Sequence, residues 1–280
     1  IGRKMSKQLG NSPDLLEMIE KDGADAVRFG IMISSPAGND LMWDEAGNEQ
    51  GRFFINKMWN ALKLVKMWEG RQTEEQLQDA ENNFAVEWFE NRLSQARIEL
   101  DAQFKEFRLS EALKTVYSLI WDDFCSWYLE WVKPGFEQPI NKAVYEKTIS
   151  FFEQLMQLLH PFMPFVTEEI YHQLKEQKDD LTVKQLNPIK NPNEEVLNRG
   201  EDLKALLSKG REYKQVNKLK LTEPIKSIIP KQIFGNAISI YGIIEKQLNA
   251  KEIEKPETET FEVTLATTIY PFKNTKIGFE

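Results

Sequence analysis

The sequence is poor in the residues that build disulfides and metal sites. Its 280 residues include one cysteine, Cys125, and two histidines, His160 and His172. A single cysteine excludes an internal disulfide and a zinc site built from several thiolates, and its place in an apolar helical segment favours packing over catalysis. Because a proline-rich segment separates the two histidines, their spacing matches no metal motif, and we predict no metal site.

A surplus of positive charge is also lacking. The chain has 36 basic and 44 acidic residues, a net charge of −8, which excludes a globally basic nucleic-acid binder, so any RNA contact must come from a local patch. No apolar run approaches the ~20 residues of a membrane helix, and no signal peptide is visible. We therefore expect a cytoplasmic protein without membrane contact. The 41% of hydrophobic residues favours a globular chain over a disordered one.

The most specific local pattern comes at the start of the chain. Lys4 and Lys7 lie three positions apart in a segment without periodicity that ends in a Gly10-Asn11 turn signal, which predicts a loop. Ser12, followed by Pro13, is placed as a helix N-cap. Two ammonium groups on such a loop can clamp a phosphate as its charge changes. A solvated basic loop is the alternative.

Most of the remaining chain has helical periodicity. Apolar residues three and four positions apart predict long helices over about 44–68, 83–105, 110–131, 141–159 and 194–217. We expect Ser110 and Thr167 to cap helices, and Phe124 and Trp127 to lie in the core. Long helices with short joints predict a mainly α fold, an antiparallel helix bundle.

The composition changes after the bundle. Residues 178–193 are polar and contain two prolines, as linkers do, whereas residues 203–232 hold eight bases and two acids. Strand-like and helix-like segments after Pro224 predict a small C-terminal α/β module. The predicted domains are 1–43, 44–180 and 181–280. Six basic residues are candidates for RNA contact: Lys204, Lys209, Arg211, Lys214, Lys218 and Lys220.

Four segments resemble a known family. Lys4-Met5-Ser6-Lys7-Gln8 resembles the KMSKS loop of class I aminoacyl-tRNA synthetases, with Gln8 in place of the usual final serine. The run from Gly23 to Phe29 is similar to the helices after that loop, and the run from His160 to Phe165 is similar to the family's anticodon-binding bundle. The turn from Pro36 to Asp40 is most similar to that of the valyl-tRNA synthetases, and the isoleucyl and leucyl relatives are the alternative.

The resemblance implies roles for these parts. Lys4, Met5, Ser6 and Lys7 would bind ATP, and Lys4 and Lys7 would be catalytic, stabilising the phosphates during adenylate formation. ATP with Mg²⁺ and valine would be substrates, tRNA(Val) would be the partner of the bundle, and the protein would be a monomer.

The resemblance also implies that further parts belong to the enzyme. The family's other ATP motif, valine pocket, editing domain and coiled-coil arm have no counterpart in this sequence. We therefore expect a C-terminal fragment that begins at the KMSKS loop, holds no cofactor and is inactive in adenylate formation by itself. A helical protein-interaction scaffold is the alternative from a different functional class.

Overall fold

A computed structural model describes residues 4–35, 38, 44–75, 79–174, 176, 179–229, 238–250, 262–265 and 269–270. The chain divides into two compact units. The first consists of residues 1–75, 89–129 and 134–192, and the second of residues 76–88, 130–133 and 193–280. The domain boundaries near residues 43 and 180 stay predictions. Within the described ranges, no helix has both the length and the apolar character needed to cross a membrane.

The first unit is built almost entirely from helices, which confirms the mainly α prediction. Its elements are α1 (Leu15–Asp22), α2 (Ala24–Ile33), α3 (Ala46–Glu69), most of α4 (Asp79–Lys105), α5 (Leu109–Ser118), a π-helix (Leu119–Tyr128), α7 (Lys142–Leu159) and α8 (Pro164–Leu174). A short helix, α6 (Leu129–Val132), continues the π-helix. The strands β1 (Gln72–Thr73) and β2 (Ile140–Asn141) form one parallel pair.

An aromatic cluster forms the centre of this unit. Phe124 is fully buried, and its ring centroid lies 5.3 Å from that of Phe89 and 5.2 Å from that of Phe152. Burial raises the pKa of the neighbouring Cys125 thiol to about 12, which agrees with a packing role. The prediction for Trp127 is wrong, because its side chain is only half-buried. A π-helix has wider turns than an α-helix, so α-helical spacing misassigns the faces of this segment.

Helices α2 and α3 pack with their backbones in close approach. A Cβ atom added at Gly51 would lie 2.9 Å from the Cα and carbonyl oxygen of Ala26, and one added at Gly47 would lie 3.0 Å from the Cα of Gly30. Such distances leave no room for a larger residue at either position. The backbones of the two helices therefore lie in direct contact at these glycines.

The observed helix caps differ from the predicted ones. Asp14, not Ser12, caps α1, since its carboxylate accepts from the amides of Leu16 and Glu17. The hydroxyl of Ser110 donates to the carbonyl of Ile33, 77 positions earlier, and the hydroxyl of Thr167 donates to the carbonyl of Met163 within α8. Ser110 and Thr167 thus bind carbonyls rather than free amides, so the cap predictions for both are wrong.

The second unit contains the predicted α/β module. Its helices are α9 (Glu194–Val216) and α10 (Ile238–Leu248), and the antiparallel sheet has the order β3 (Ile225–Ile229), β4 (Glu262–Leu265), β5 (Ile269–Tyr270). Asn193 caps α9 by accepting from the amides of Glu195 and Val196. The rings of Trp88 and Trp131 lie 4.6 Å apart in its interior.

Candidate functional site

The loop that carries Lys4 and Lys7 is tied together by the side chain of Asn11. The Asn11 Oδ1 accepts from the Ser6 amide at 2.8 Å, and its Nδ2 donates to the Lys4 carbonyl at 3.2 Å. Residues Lys7–Leu9 form one 3₁₀ turn, and Gly10 turns the chain with φ of 62°, a conformation that suits glycine. The side-chain amide of Asn11 therefore joins the end of the loop to the backbone at its start.

The loop presents its residues unequally. Lys4 is exposed, Met5 is 41% exposed, and Ser6 is half-buried, while the side chain of Lys7 lies outside the described atoms. The Ser6 hydroxyl accepts from the amide of Gln8 at 3.2 Å. The role of Asn11 was not predicted from the sequence, although asparagine beside glycine often bonds to nearby backbone in turns.

A second surface with the chemistry for RNA binding lies on α3 and the π-helix. Phe53 is 52% exposed, and Lys57, one turn further on, places its Nζ 5.3 Å from the ring centroid of Trp121. Trp121 is half-buried and stacks on Tyr117 with centroids 5.6 Å apart. Aromatic faces beside cations are what proteins use to stack single-stranded bases. Neither Phe53 nor Trp121 was singled out from the sequence, so this surface was not predicted.

The structure corrects one of the six basic candidates on and after α9. Lys214 is 1% exposed, and its Nζ donates to the carbonyls of Leu221 and Glu223, both at 2.7 Å. Burial lowers the pKa of Lys214. The ammonium group satisfies backbone carbonyls inside the module and is not available to RNA.

The other five candidates differ in exposure. The Lys204 side chain is 15% exposed, pairs with Glu201 at 2.7 Å and lies over the Trp88 ring. Half-buried Arg211 donates to the side chain of Gln247 at 3.0 Å. Exposed side chains belong to Lys209, Lys218 and Lys220. The role of all five in tRNA binding stays a prediction.

Two family models match this chain. The model described as tRNA synthetases class I (I, L, M and V) matches residues 1–44, which include the loop, α1 and α2. The model described as anticodon-binding domain of tRNA ligase matches residues 86–229, about half of the chain. This chain belongs to the class I tRNA ligases. The match to the anticodon-binding domain of that family includes α4 from residue 86 onward, the helices from α5 to α8, and α9.

Curated relatives of this class I tRNA ligase are named valine–tRNA ligase. Those from Bacteroides fragilis and Parabacteroides distasonis are 47% and 45% identical over 260 residues, 91% and 92% of this chain. One from Porphyromonas gingivalis is 55% identical over 182 residues, 65% of this chain and 20% of the relative. The chain spans 29% of the first two relatives.

A solved structure described as the ternary complex of Agrobacterium radiobacter LeuRS, tRNA and LeuAMS is 20% identical to the chain. It covers 70% of this class I tRNA ligase and 23% of the other chain, with a TM-score of 0.49, a likeness too weak to carry an argument.

Proposed function

We propose that this chain is the anticodon-binding region, with the KMSKS-type loop, of a valine–tRNA ligase that joins valine to tRNA(Val) at the expense of ATP. The observation that carries the proposal is 47% identity to valine–tRNA ligases over 91% of the chain. The two family matches, in chain order, support it. The reported relatives favour valine over the isoleucine and leucine alternatives.

The loop supplies cationic groups to the ATP phosphates in this proposal. Lys4 and Lys7 stabilise the charge that develops at the α-phosphate, Met5 and Ser6 complete the ATP-binding stretch, and Mg²⁺ accompanies ATP. Asn11 keeps the backbone between the two lysines in one arrangement. The loop therefore acts as a preorganised arm of the active site of the complete ligase.

The surface of Phe53, Lys57 and Trp121 receives unpaired bases of the anticodon loop in this proposal. An exposed phenyl ring offers a stacking face to any base, and the neighbouring ammonium adds attraction to the RNA backbone. The exposed lysines Lys209, Lys218 and Lys220 contribute phosphate contacts. We also propose a cytoplasmic monomer, since the single cysteine fits a reducing compartment.

Fluorescence anisotropy of this chain with a labelled tRNA(Val) transcript tests the proposal. A transcript whose anticodon bases are replaced should bind more weakly, because each lost base–aromatic stack costs about 1–3 kcal/mol. Equal affinity for both transcripts would contradict the assignment to tRNA(Val). Light scattering of the complex measures its stoichiometry, and a dimer would overturn the proposed monomer.

A matched pair of variants tests the surface separately. Phe53→Ala should weaken binding by roughly five- to 150-fold if one base stacks there. Phe136→Ala removes another phenylalanine of this unit, 91% exposed, and should leave affinity within about twofold. If Phe53→Ala and Phe136→Ala bind tRNA(Val) with equal affinity, the assignment of base stacking to Phe53 is wrong. This holds even if the chain still prefers the transcript with the unaltered anticodon.

A further inference from the structure

Three potential metal ligands converge at the end of α8. Glu168 and His172 lie four positions apart on α8, one above the other, and Asp180 follows the helix. The His172 Nε2 lies 3.2 Å from the Glu168 Oε1 and 3.1 Å from the Asp180 Oδ1. One ligand atom from each of the three side chains lies within 4.8 Å of the other two. We propose that Glu168, His172 and Asp180 form a site for a divalent transition-metal ion, with Zn²⁺ as the best fit.

The separations fit tetrahedral zinc coordination. Zinc binds imidazole nitrogen and carboxylate oxygen at about 2.0–2.2 Å, which places any two tetrahedral donors about 3.4 Å apart. The distances from the imidazole nitrogen to the two carboxylates are close to that value. A small movement of the side chains would therefore admit the ion.

The charges at the site also favour a cation. Two carboxylate oxygens approach one imidazole nitrogen, and a single nitrogen carries at most one proton to offer them. A metal ion bound by all three groups neutralises both carboxylates and uses the nitrogen lone pair. The imidazole selects against Mg²⁺ and Ca²⁺, which prefer oxygen ligands, and in favour of Zn²⁺ and its first-row neighbours.

Neighbouring groups already hold the carboxylate of Glu168 in place. The Leu181 amide donates to the Glu168 Oε1 at 2.7 Å, and the Thr182 hydroxyl lies 3.5 Å from its Oε2. The Thr182 hydroxyl also lies 3.0 Å from the His160 Nε2. Such supporting bonds orient ligands and typically change metal affinity by about 10–100-fold.

The site opens to solvent on one side. Glu168, His172 and Thr182 line an open cleft of about 500 Å³, together with His160, Pro164, Phe165 and Glu169. The cleft has room for a water molecule at the fourth coordination position, so three protein ligands are enough for a tetrahedral site.

Titration of the purified chain with ZnCl₂ against a chromophoric chelator tests the proposal. One equivalent should bind saturably, and a large excess of MgCl₂ should not displace it. His172→Ala and Asp180→Asn should each weaken binding by about tenfold or more. Glu146→Gln, which removes a charge from an exposed position of α7 outside the cleft, is the control and should bind within about twofold of the unaltered chain.

Nuclear magnetic resonance of the imidazole protons gives a readout that places the ion. Since the chain has two histidines, His160→Gln assigns both signals. Zinc should shift the His172 signals in proportion to occupancy, up to one equivalent. Unmoved His172 signals, or undiminished zinc binding by His172→Ala, would overturn the site.

Discussion

The carboxylate of Asp25 caps a helix that begins far along the chain: its Oδ2 accepts from the Val166 amide at 2.6 Å, across 141 positions. The backbone of Phe165 also donates to it. One turn along α2, the Arg28 guanidinium donates to the carbonyls of Pro161 and Phe162, both at 3.0 Å. The carboxylate thus accepts hydrogen bonds from free amides at the start of α8, and the guanidinium donates hydrogen bonds to the carbonyls that follow α7.

Removal of the Asp25 carboxylate should destabilise the first unit. Asp25→Ala leaves the buried amide of Val166 without its acceptor, and we expect a loss of about 1–3 kcal/mol in the free energy of unfolding. Urea denaturation followed by circular dichroism measures it. Glu20→Ala, at an exposed position of α1, is the control, and equal effects of the two substitutions would contradict the capping role.

The same carboxylate should make stability depend on pH. Burial raises the pKa of Asp25 despite the amide donors and nearby Arg28, so the folded chain holds this proton more tightly than the unfolded chain. This contribution to the free energy of unfolding should therefore be full at about pH 4 and below, and fall as pH rises through the raised pKa. The Asp25→Asn variant lacks this pH-dependent contribution. Its free energy of unfolding should therefore rise relative to that of the unaltered chain as pH increases. A difference in free energy of unfolding between Asp25→Asn and the unaltered chain that stays constant from about pH 4 to pH 7 would refute this.

Phe124 and Trp127 should differ in their effect on stability. Phe124→Ala removes a fully buried ring and should cost about 3–5 kcal/mol, whereas Trp127→Ala, at a half-buried position, should cost clearly less. Urea unfolding of both variants gives the comparison. A larger loss for Trp127→Ala would show that the π-helix does not turn that side chain outward.

Lys7→Ala in the complete ligase should slow adenylate formation far more than it weakens valine binding. A charge that meets the phosphate mainly in the transition state affects the rate rather than ground-state affinity, and its loss commonly costs about 100- to 1000-fold. Pre-steady-state measurement at saturating ATP and valine tests this, with Gln8→Ser as a control expected to change little. A near-normal rate with only a raised KM for ATP would identify the loop as a binding surface.

Lys214 should behave as a structural residue. Lys214→Met leaves the carbonyls of Leu221 and Glu223 without their donor and should lower the free energy of unfolding by about 1–3 kcal/mol. Lys218→Ala, at an exposed position, should leave stability unchanged within about 0.5 kcal/mol. Thermal unfolding of both variants tests the distinction. If Lys214→Met is as stable as the unaltered chain, Lys214 becomes a candidate for RNA contact again.

The sequence predicts the helices well and their connections poorly, for a physical reason. Helical periodicity is local, so the bounds of α3, Ala46–Glu69, follow closely from neighbouring residues. The capping of α8 by Asp25 joins residues 141 positions apart, and no local pattern contains that information. Composition likewise located a basic segment, but only the path of the chain after α9 shows that Lys214 points inward.

The candidate sites divide in the same way. The lysine loop is a contiguous motif that could be recognised from the sequence. Asp180 reaches His172 from beyond the end of α8, so the spacing of the two histidines gave no hint of the site. The surface at Phe53 and Trp121 combines residues from α3 and the π-helix, and no local pattern shows which residues of two separate helices lie together.

The close packing of α2 on α3 restricts where the lysine loop can move. Since α2 is also bonded through Asp25 and Arg28 to the break between α7 and α8, it cannot tilt without disturbing the bundle. Gly10 and Gly23 have φ of 62° and 87° and open space around the position of a side chain. At the end of α1, the Asp22 carboxylate accepts from the side chains of Asn48 and Arg52 on α3, so α1 is joined to the same pair of helices. Between these bonds and the two lysines the chain has one glycine, Gly10, and a change in the direction of the loop relative to the bundle is therefore expected there.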